Sequence, residues 1–338
     1  MTIRTAIIGF GTGGRVFHAP LVAAEPRFTV SAIVTADPER VAAAAEYAPA
    51  DVLASPDDVF ARDDIDLVVI TSPNDTHAPL ARRAIAAGTA VVIDKPIGVS
   101  SAEARALVAE AAAAGVPLTV FQNRRWDGDF RTLRELLATG ELGAVHQFES
   151  AFEWWKPALT SRWKDVASPE QGGGILSDLG PHLIDQALLL FGDVVEVHAE
   201  LDRRRPGAAA DDDAFLSLTH ANGVRSRLWM NATAPVNRPR FRVLGSRAVF
   251  TSHGLDPQED QSKAGRRPLD PGFGLPADGR TALLSTPEAE RPVPLLAGEH
   301  LAFYRALGDA LTTGAPLPVD PRDAVRGLEL IEAARGLG

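Results

Sequence analysis

The chain has 338 residues, nearly half of them apolar, and a formal charge of −10. That length suits two domains better than one, and the acidic balance argues against a nucleic-acid partner, which would need basic patches. There is no cysteine, so disulfides, thiolate metal sites and cysteine nucleophiles are excluded.

"MTIRTAIIGFGTGG" opens on an apolar stretch that is too short for a signal peptide and is broken by glycines. No run reaches the length of a membrane span, so a cytoplasmic protein without a membrane partner is expected. The first 120 or so residues alternate strand and helix signals. "TAIIGF", "FTVSAIV", "IDLVVIT", "TAVVID" and "VPLTVF" read as strands. Between them, "PERVAAAAEY", "DTHAPLARRAIAAG" and "SSAEARALVAEAAAAG" read as helices, the last two closed by glycine C-caps. This rhythm predicts right-handed βαβ units around a buried parallel sheet, a domain spanning 1–122. After Phe121 the rhythm changes. "FRTLRELLATG" reads as a helix, and longer alternating runs from "AVHQFESAFEWW" to "RAVFTS" predict a mostly antiparallel sheet in a second domain, 123–338. Residues 254–299, rich in Pro, Gly and charge, read as a long irregular excursion, the kind of loop that is functional or mobile. Two helices, about 300–313 and 321–335, close the chain.

"GFGTGG" places Gly9, Gly11 and Gly14 in the G-x-G-x-x-G spacing, after a strand and before a helix. Gly9 permits the tight turn, Gly11 the approach of a pyrophosphate, and Gly14 close packing of helix on strand. The helix N-terminus favours the phosphate charge. The alternative reading is a glycine-rich turn with no ligand. Cofactor choice is read at the tip of the second strand, "AIVTADPER". An acidic residue there would bind the ribose 2′-hydroxyl of NAD. Thr35 at that tip removes the repulsion against a 2′-phosphate, and Arg40 can pair with it, which favours NADP. Asp37, two residues on, keeps NAD open as the alternative.

"VVIDKPIG" delivers Asp94 and Lys95 at the C-terminal end of a buried strand, where open α/β sheets bind ligands. A lysine snorkelling off a strand tip would look the same. In "QGGGILSDLGPHLIDQALLLFG", Pro181 suits the first turn of a helix with Gly180 near its cap. His182 is then expected in that first turn and Asp178 just before it. A capping cluster accounts for Asp185, whereas the preceding Gly-Gly-Gly points to a ligand beside Asp178 and His182. The eight histidines show no HExxH or paired spacing, so no metal site is expected.

Together "GFGTGGRVFHAP", "TSPNDTHAPLARRAIAAG", "DKPIG" and "GGGILSDLGPHLIDQALLLFG" resemble the glucose–fructose oxidoreductase/inositol dehydrogenase (Gfo/Idh/MocA) family over nearly the whole chain. Asp94 stands where the family usually has glutamate. "FQNRRWDGDF" and "GLDPQEDQSKAGRRP" further resemble a bacterial branch that includes NADP-dependent scyllo-inositol dehydrogenase. The resemblance implies a Rossmann domain followed by an α/β domain with an open, mostly antiparallel sheet, with the last helix packing back toward the first domain. It implies that Lys95, Asp178 and His182 carry the chemistry. It puts Phe10, Thr12, Ser72, Pro73, Asn74, His77, Asp94, Asn123 and Trp163 beside the dinucleotide. The implied reaction is hydride transfer between the nicotinamide and a hydroxyl carbon of a polyol, inositol or sugar. His182 would be the base, Lys95 the hydrogen-bond donor to the developing oxyanion, and Asp178 the orienting group. The uncovered sheet face implies a homodimer or homotetramer. Two other readings stay open: a sugar- or dinucleotide-sensing regulator, and an NAD-dependent glycosidase, which would cleave with no net change in nicotinamide absorbance.

Overall fold

A computed structural model describes residues 2–160, 167–276 and 279–336. The chain folds as two compact units. The first comprises Met1–Trp126, Pro257–Gly274 and Glu299–Val325, and the second Asp127–Asp256, Leu275–Gly298 and Arg326–Gly338.

The first unit is built on six strands: β1 (Ile3–Ile8), β2 (Phe28–Val34), β3 (Asp51–Leu53), β4 (Leu67–Ile70), β5 (Ala90–Asp94) and β6 (Leu118–Phe121). They form a parallel sheet in the order β3-β2-β1-β4-β5-β6. The order reverses direction between β1 and β4, so the crevice for a ligand lies beyond the C-terminal ends of those two strands. β4 is buried along its whole length and β5 over all but its last residue, as expected of strands covered on both faces. Ile7, Ile33, Val69, Val92 and Phe121 share a core with Phe303, Tyr304 and Leu307 of the helix Leu301–Thr313. Phe121 and Phe303 meet edge to face at 4.9 Å, and Val319 O accepts a hydrogen bond from Thr119 Oγ1 at 2.8 Å. The helix that joins this core is therefore the penultimate one. The final helix, Pro321–Ala334, divides between the units at residue 325.

The second unit holds an eight-stranded open sheet. Its strands are β7 (Val145–Glu153), β8 (Val194–Asp202), β9 (Asp213–His220), β10 (Arg225–Asn231), β11 (Phe241–Gly245), β12 (Val249–Ser252), β13 (Thr281–Ser285) and β14 (Glu290–Pro294). Their order is β14-β13-β12-β11-β7-β10-β9-β8. Only the β7–β10 pair is parallel. Burial alternates strictly along β9 and β10, the period-two signature of a sheet covered on one side. The covering element is the helix Ile175–Phe191, whose Phe191 ring stands 5.5 Å from that of Phe148 on β7.

Two expectations are corrected. Residues 254–299 are not irregular throughout: they contain a short helix, Gln258–Lys263, and the hairpin β13–β14. Pro292 and Pro294 read as breakers, but β14 is the edge strand, where a residue without an N–H is tolerated. The helix carrying His182 starts at Ile175, not at Gly180. Pro181 lies inside it, Asp178 occupies its first turn, and His182 is more than a turn further on. The early start has a tertiary cause. Asp211 O accepts from Ile175 N at 2.7 Å and Asp211 Oδ2 from Leu176 N at 2.7 Å, so the cap comes from a residue distant in sequence.

Candidate functional site

The glycine loop leaves β1 at Gly9, whose φ of +100° only glycine adopts readily. A Cβ on Gly9 would stand 2.8 Å from the Thr71 carbonyl carbon, and one on Gly14 would stand 2.2 Å from Gly9 O. These two glycines are required by packing of the protein on itself. Gly11 differs: a Cβ there would meet nothing closer than an Arg40 guanidinium nitrogen at 4.0 Å. The space above Gly11 is part of a pocket of about 640 Å³, lined by Phe10, Gly11, Thr12, Asp37 and Arg40 among others. Open space over the one glycine that packing does not require is where a pyrophosphate would lie, so the residues fit a dinucleotide.

Thr35 follows β2 and is buried, its N–H bonded to Leu53 O at 2.9 Å. Asp37 caps the next helix by accepting from Arg40 N at 3.0 Å. One oxygen of that carboxylate is thus engaged by its own backbone. The loop after β4 holds Ser72, Pro73 and Asn74 at the switch point, with Ser72 Oγ 2.6 Å from Thr76 Oγ1. His77 is buried; its Nδ1 lies 2.7 Å from Pro96 O and its Nε2 2.8 Å from Ser72 O. The ring thus ties the loop after β4 to the loop after β5. Asp94 ends β5. Its Oδ1 accepts from Lys95 N at 2.8 Å, and its Oδ2 would be 2.7 Å from a Cβ on Gly13. Lys95 follows, half-buried, at the C-terminal edge of the sheet. Asn123 is buried in a short 3-10 turn after β6. Trp163 lies outside the described residues.

Asp178 and His182 stand on the helix Ile175–Phe191 of the second unit, His182 buried. Asp178 lines a cavity of about 340 Å³ together with Trp154, Lys156, Thr160, Arg205 and Asp211. The glycines before this helix have a packing reason of their own. A Cβ on Gly173 would fall 2.0 Å from Ala167 O, and one on Gly174 2.4 Å from Asp211 Oδ1. They let the chain pass close to itself so that Asp211 can reach the helix end. Sequence reading missed this set, because "ADDDAF" looks like a solvated charge run. Asp211 and Asp212 are instead buried, Asp211 on Arg335 at 3.0 Å and Asp212 on Arg205 at 2.9 Å. Burial pushes the Asp211 carboxyl up, against the pull of Arg335 and of the Leu176 amide.

Residues 3–122 match the family model described as an oxidoreductase family with an NAD-binding Rossmann fold, and residues 130–251 match the GFO/IDH/MocA C-terminal domain. The chain belongs to the GFO/IDH/MocA oxidoreductase family. It is 40% identical over 336 residues to the uncharacterized oxidoreductase YdgJ of Escherichia coli, covering 98% of this chain and 94% of that one. It is 32% identical to the scyllo-inositol 2-dehydrogenase (NADP(+)) IolW of Bacillus subtilis, covering 98% and 93%. Among solved structures it is similar to the oxidoreductase yvaA of Bacillus subtilis, with a TM-score of 0.93, 31% identity, and 99% and 96% of the two chains covered. The protein is thus an oxidoreductase with an NAD-binding Rossmann domain, as the glycine loop and the strand alternation predict. No helix among the described residues is long and apolar enough to cross a membrane.

Proposed function

We propose that the protein transfers a hydride between the nicotinamide of NADP and a hydroxyl carbon of an inositol, another polyol or a sugar. The observation that carries this reading is the near full-length similarity to a relative named as an NADP-dependent scyllo-inositol dehydrogenase, joined to the presence of Lys95, Asp178 and His182 in this chain. The dinucleotide, when bound, supplies the hydride acceptor at nicotinamide C4. The chain's own residues handle the proton and the charge. His182 takes the hydroxyl proton in oxidation and returns it in reduction. Lys95 donates a hydrogen bond to the same oxygen and stabilises its developing negative charge. Asp178 orients the substrate hydroxyls from the cavity it lines. NADP is favoured over NAD because Thr35 leaves the β2 tip uncharged and the Arg40 guanidinium faces the open pocket.

We assign the enzyme to the cytoplasm and to a homodimer or homotetramer. The sheet face opposite the helix supports the latter. It carries Phe215 and Trp229, their tilted rings 5.3 Å apart, beside the Glu149–Arg242 pair at 3.0 Å, and such a mixed apolar face suits a symmetric interface. Light scattering at micromolar concentration checks this; a monomer mass would refute it. The catalytic reading is tested by screening inositols, aldoses and sugar acids with NADP and NAD while following nicotinamide absorbance. Polyol-dependent turnover that is insensitive to EDTA is expected. His182→Ala is expected to lower kcat by roughly a hundredfold or more. No hydride transfer with any polyol, or an unaffected His182→Ala variant, would reject it.

A further inference from the structure

The 640 Å³ pocket over Gly11 has a third wall that the glycine loop and the β2 tip do not provide. Ser262, Lys263, Gly265 and Arg267 form it, from the chain segment Pro257–Gly274 that joins the first unit despite its distance in sequence. The helix Gln258–Lys263 packs on the π-helical turn Gly13–His18 that follows the glycines. The segment is held by specific bonds. Gln261 Oε1 accepts from Gly274 N at 2.7 Å, Gln258 Oε1 accepts from His300 N at 2.8 Å, and Asp270 Oδ2 accepts from Arg267 N at 2.7 Å.

The charges on this pocket are unequal in their commitments. Four cations line it: Arg15, Arg40, Lys263 and Arg267. Lys263 reaches Glu259 at 2.5 Å, and Arg267 pairs with Glu46. Arg15 and Arg40 have exposed side chains with no ion pair or side-chain hydrogen bond among the described residues. Of the three acids on the pocket, Asp37 accepts the capping bond from Arg40 N, Glu46 pairs with Arg267, and Glu39 stands exposed in the first turn of the helix Pro38–Ala44. Four cations thus outnumber three carboxylates, with the Arg15 and Arg40 guanidinium groups uncommitted and two more cations beside them whose surface ion pairs exchange readily. A phosphomonoester with a charge near −2 matches that set. A neutral ribose hydroxyl does not.

We propose that residues 262–267 belong to the cofactor site and that Lys263 and Arg267, with Arg15 and Arg40, receive the 2′-phosphate of NADP. Lys263 and Arg267 are then determinants of cofactor choice lying some 230 residues beyond the β2 tip, where that choice is ordinarily read. This rests on the dinucleotide reading above. It adds that Glu46 competes with the phosphate for Arg267.

The test measures binding of NADP, NAD, 2′,5′-ADP and 5′-AMP by calorimetry, to the wild type, to Lys263→Ala/Arg267→Ala and to Glu46→Gln. The double variant is expected to bind NADP and 2′,5′-ADP about tenfold more weakly, with NAD and 5′-AMP changed less than twofold. The salt dependence of NADP binding should also flatten. Glu46→Gln should bind NADP severalfold more tightly and leave NAD unchanged. Equal weakening of NAD and NADP in the double variant would reduce the segment to a packing strap and overturn the proposal, as would no change in either or weaker NADP binding by Glu46→Gln. A wild type that binds NADP over NAD while the variants fail these expectations sinks this inference alone. A wild type that binds neither dinucleotide sinks the functional reading with it.

Discussion

Replacing Asp211 by alanine tests what holds the helix that carries Asp178 and His182. Asp211 accepts from Leu176 N at 2.7 Å through one carboxylate oxygen and from Arg335 Nη2 at 3.0 Å through the other. Both side chains are nearly enclosed, with 8% and 7% of the Arg335 and Asp211 side chains exposed. The substitution removes a helix cap, which costs about 1 kcal/mol. It also leaves a buried guanidinium without its counter-charge, which costs about 3–5 kcal/mol when nothing else compensates. Arg335 keeps the Pro169 and Gly173 carbonyls and Ser177 Oγ as acceptors at 3.0–3.1 Å, so the lower end of that range applies. The expected total is about 4 kcal/mol, a fall in Tm of roughly 8–16 °C for a unit of this size. Asp211→Asn retains an oxygen for Leu176 N and is expected to fall between wild type and Asp211→Ala. Arg335→Met in the Asp211→Ala background should recover part of the loss, because it removes the stranded charge. Urea denaturation and thermal melts of wild type, Asp211→Ala, Asp211→Asn, Arg335→Met and the double variant measure all of this. Asp211→Ala within about 1 kcal/mol of wild type, or strictly additive effects of the two substitutions, would refute the assignment of Asp211 as a tertiary cap and counter-ion.

Gly14→Ala should destabilise the fold by about 1–3 kcal/mol, since its methyl would stand 2.2 Å from Gly9 O. Gly11→Ala should leave Tm nearly unchanged and weaken dinucleotide binding about tenfold; thermal melts and calorimetry separate the two. Arg40→Ala should narrow the ratio of NADP to NAD affinity, again by calorimetry. Asp129 is buried with Oδ2 lacking a partner, and burial pushes its carboxyl up to about 7, with Arg240 opposing. The native state then holds a proton that the unfolded chain releases near pH 4, so this group's contribution to stability falls as pH rises from about 4 to about 7 and is flat above. Asp129→Asn should remove that slope in denaturation curves taken across the range. It should also exceed the wild type by about 2 kcal/mol at pH 8, the scale of an unmatched buried charged oxygen.

The Rossmann unit's sheet was readable because its information is local. Each of β1, β2, β4, β5 and β6 is a short apolar run closed by turn or cap chemistry, and parallel strands buried on both faces leave that mark on a sequence. The features that escaped are those whose cause is distant. The helix start at Ile175 depends on Asp211, and without that acceptor Pro181 and Gly180 supply the stronger local boundary signal. β14 depends on being an edge, which no property of "ERPVP" reveals. Phe303 and Tyr304 read as the apolar face of a helix, but which sheet they pack against is set by the return of the chain to the first unit. The pocket-lining cations Lys263 and Arg267 lie in a stretch whose composition says only "loop".

Glycine shows most clearly where pattern and cause part. "GFGTGG" and "QGGG" both look like chain opened for a ligand. At Gly9, Gly14, Gly173 and Gly174 an added Cβ would collide with the protein's own atoms at 2.0–2.8 Å, and at Gly11 it would not. Among these five, Gly11 alone has no internal reason to be glycine. The same reasoning moves the chemistry of the second unit. With the helix beginning at Ile175, Asp178 holds the first-turn position, where the macrodipole favours an anion. His182 lies beyond the reach of that field, which fades within the first turn. The helix end therefore does not assist His182 in its proposed role as base. That makes His182→Gln, which keeps an amide of similar size in a buried place, a better probe of proton transfer than of packing. It should match the kcat loss of His182→Ala while keeping wild-type Tm, and recovery of turnover by His182→Gln would remove proton transfer from the role of this residue.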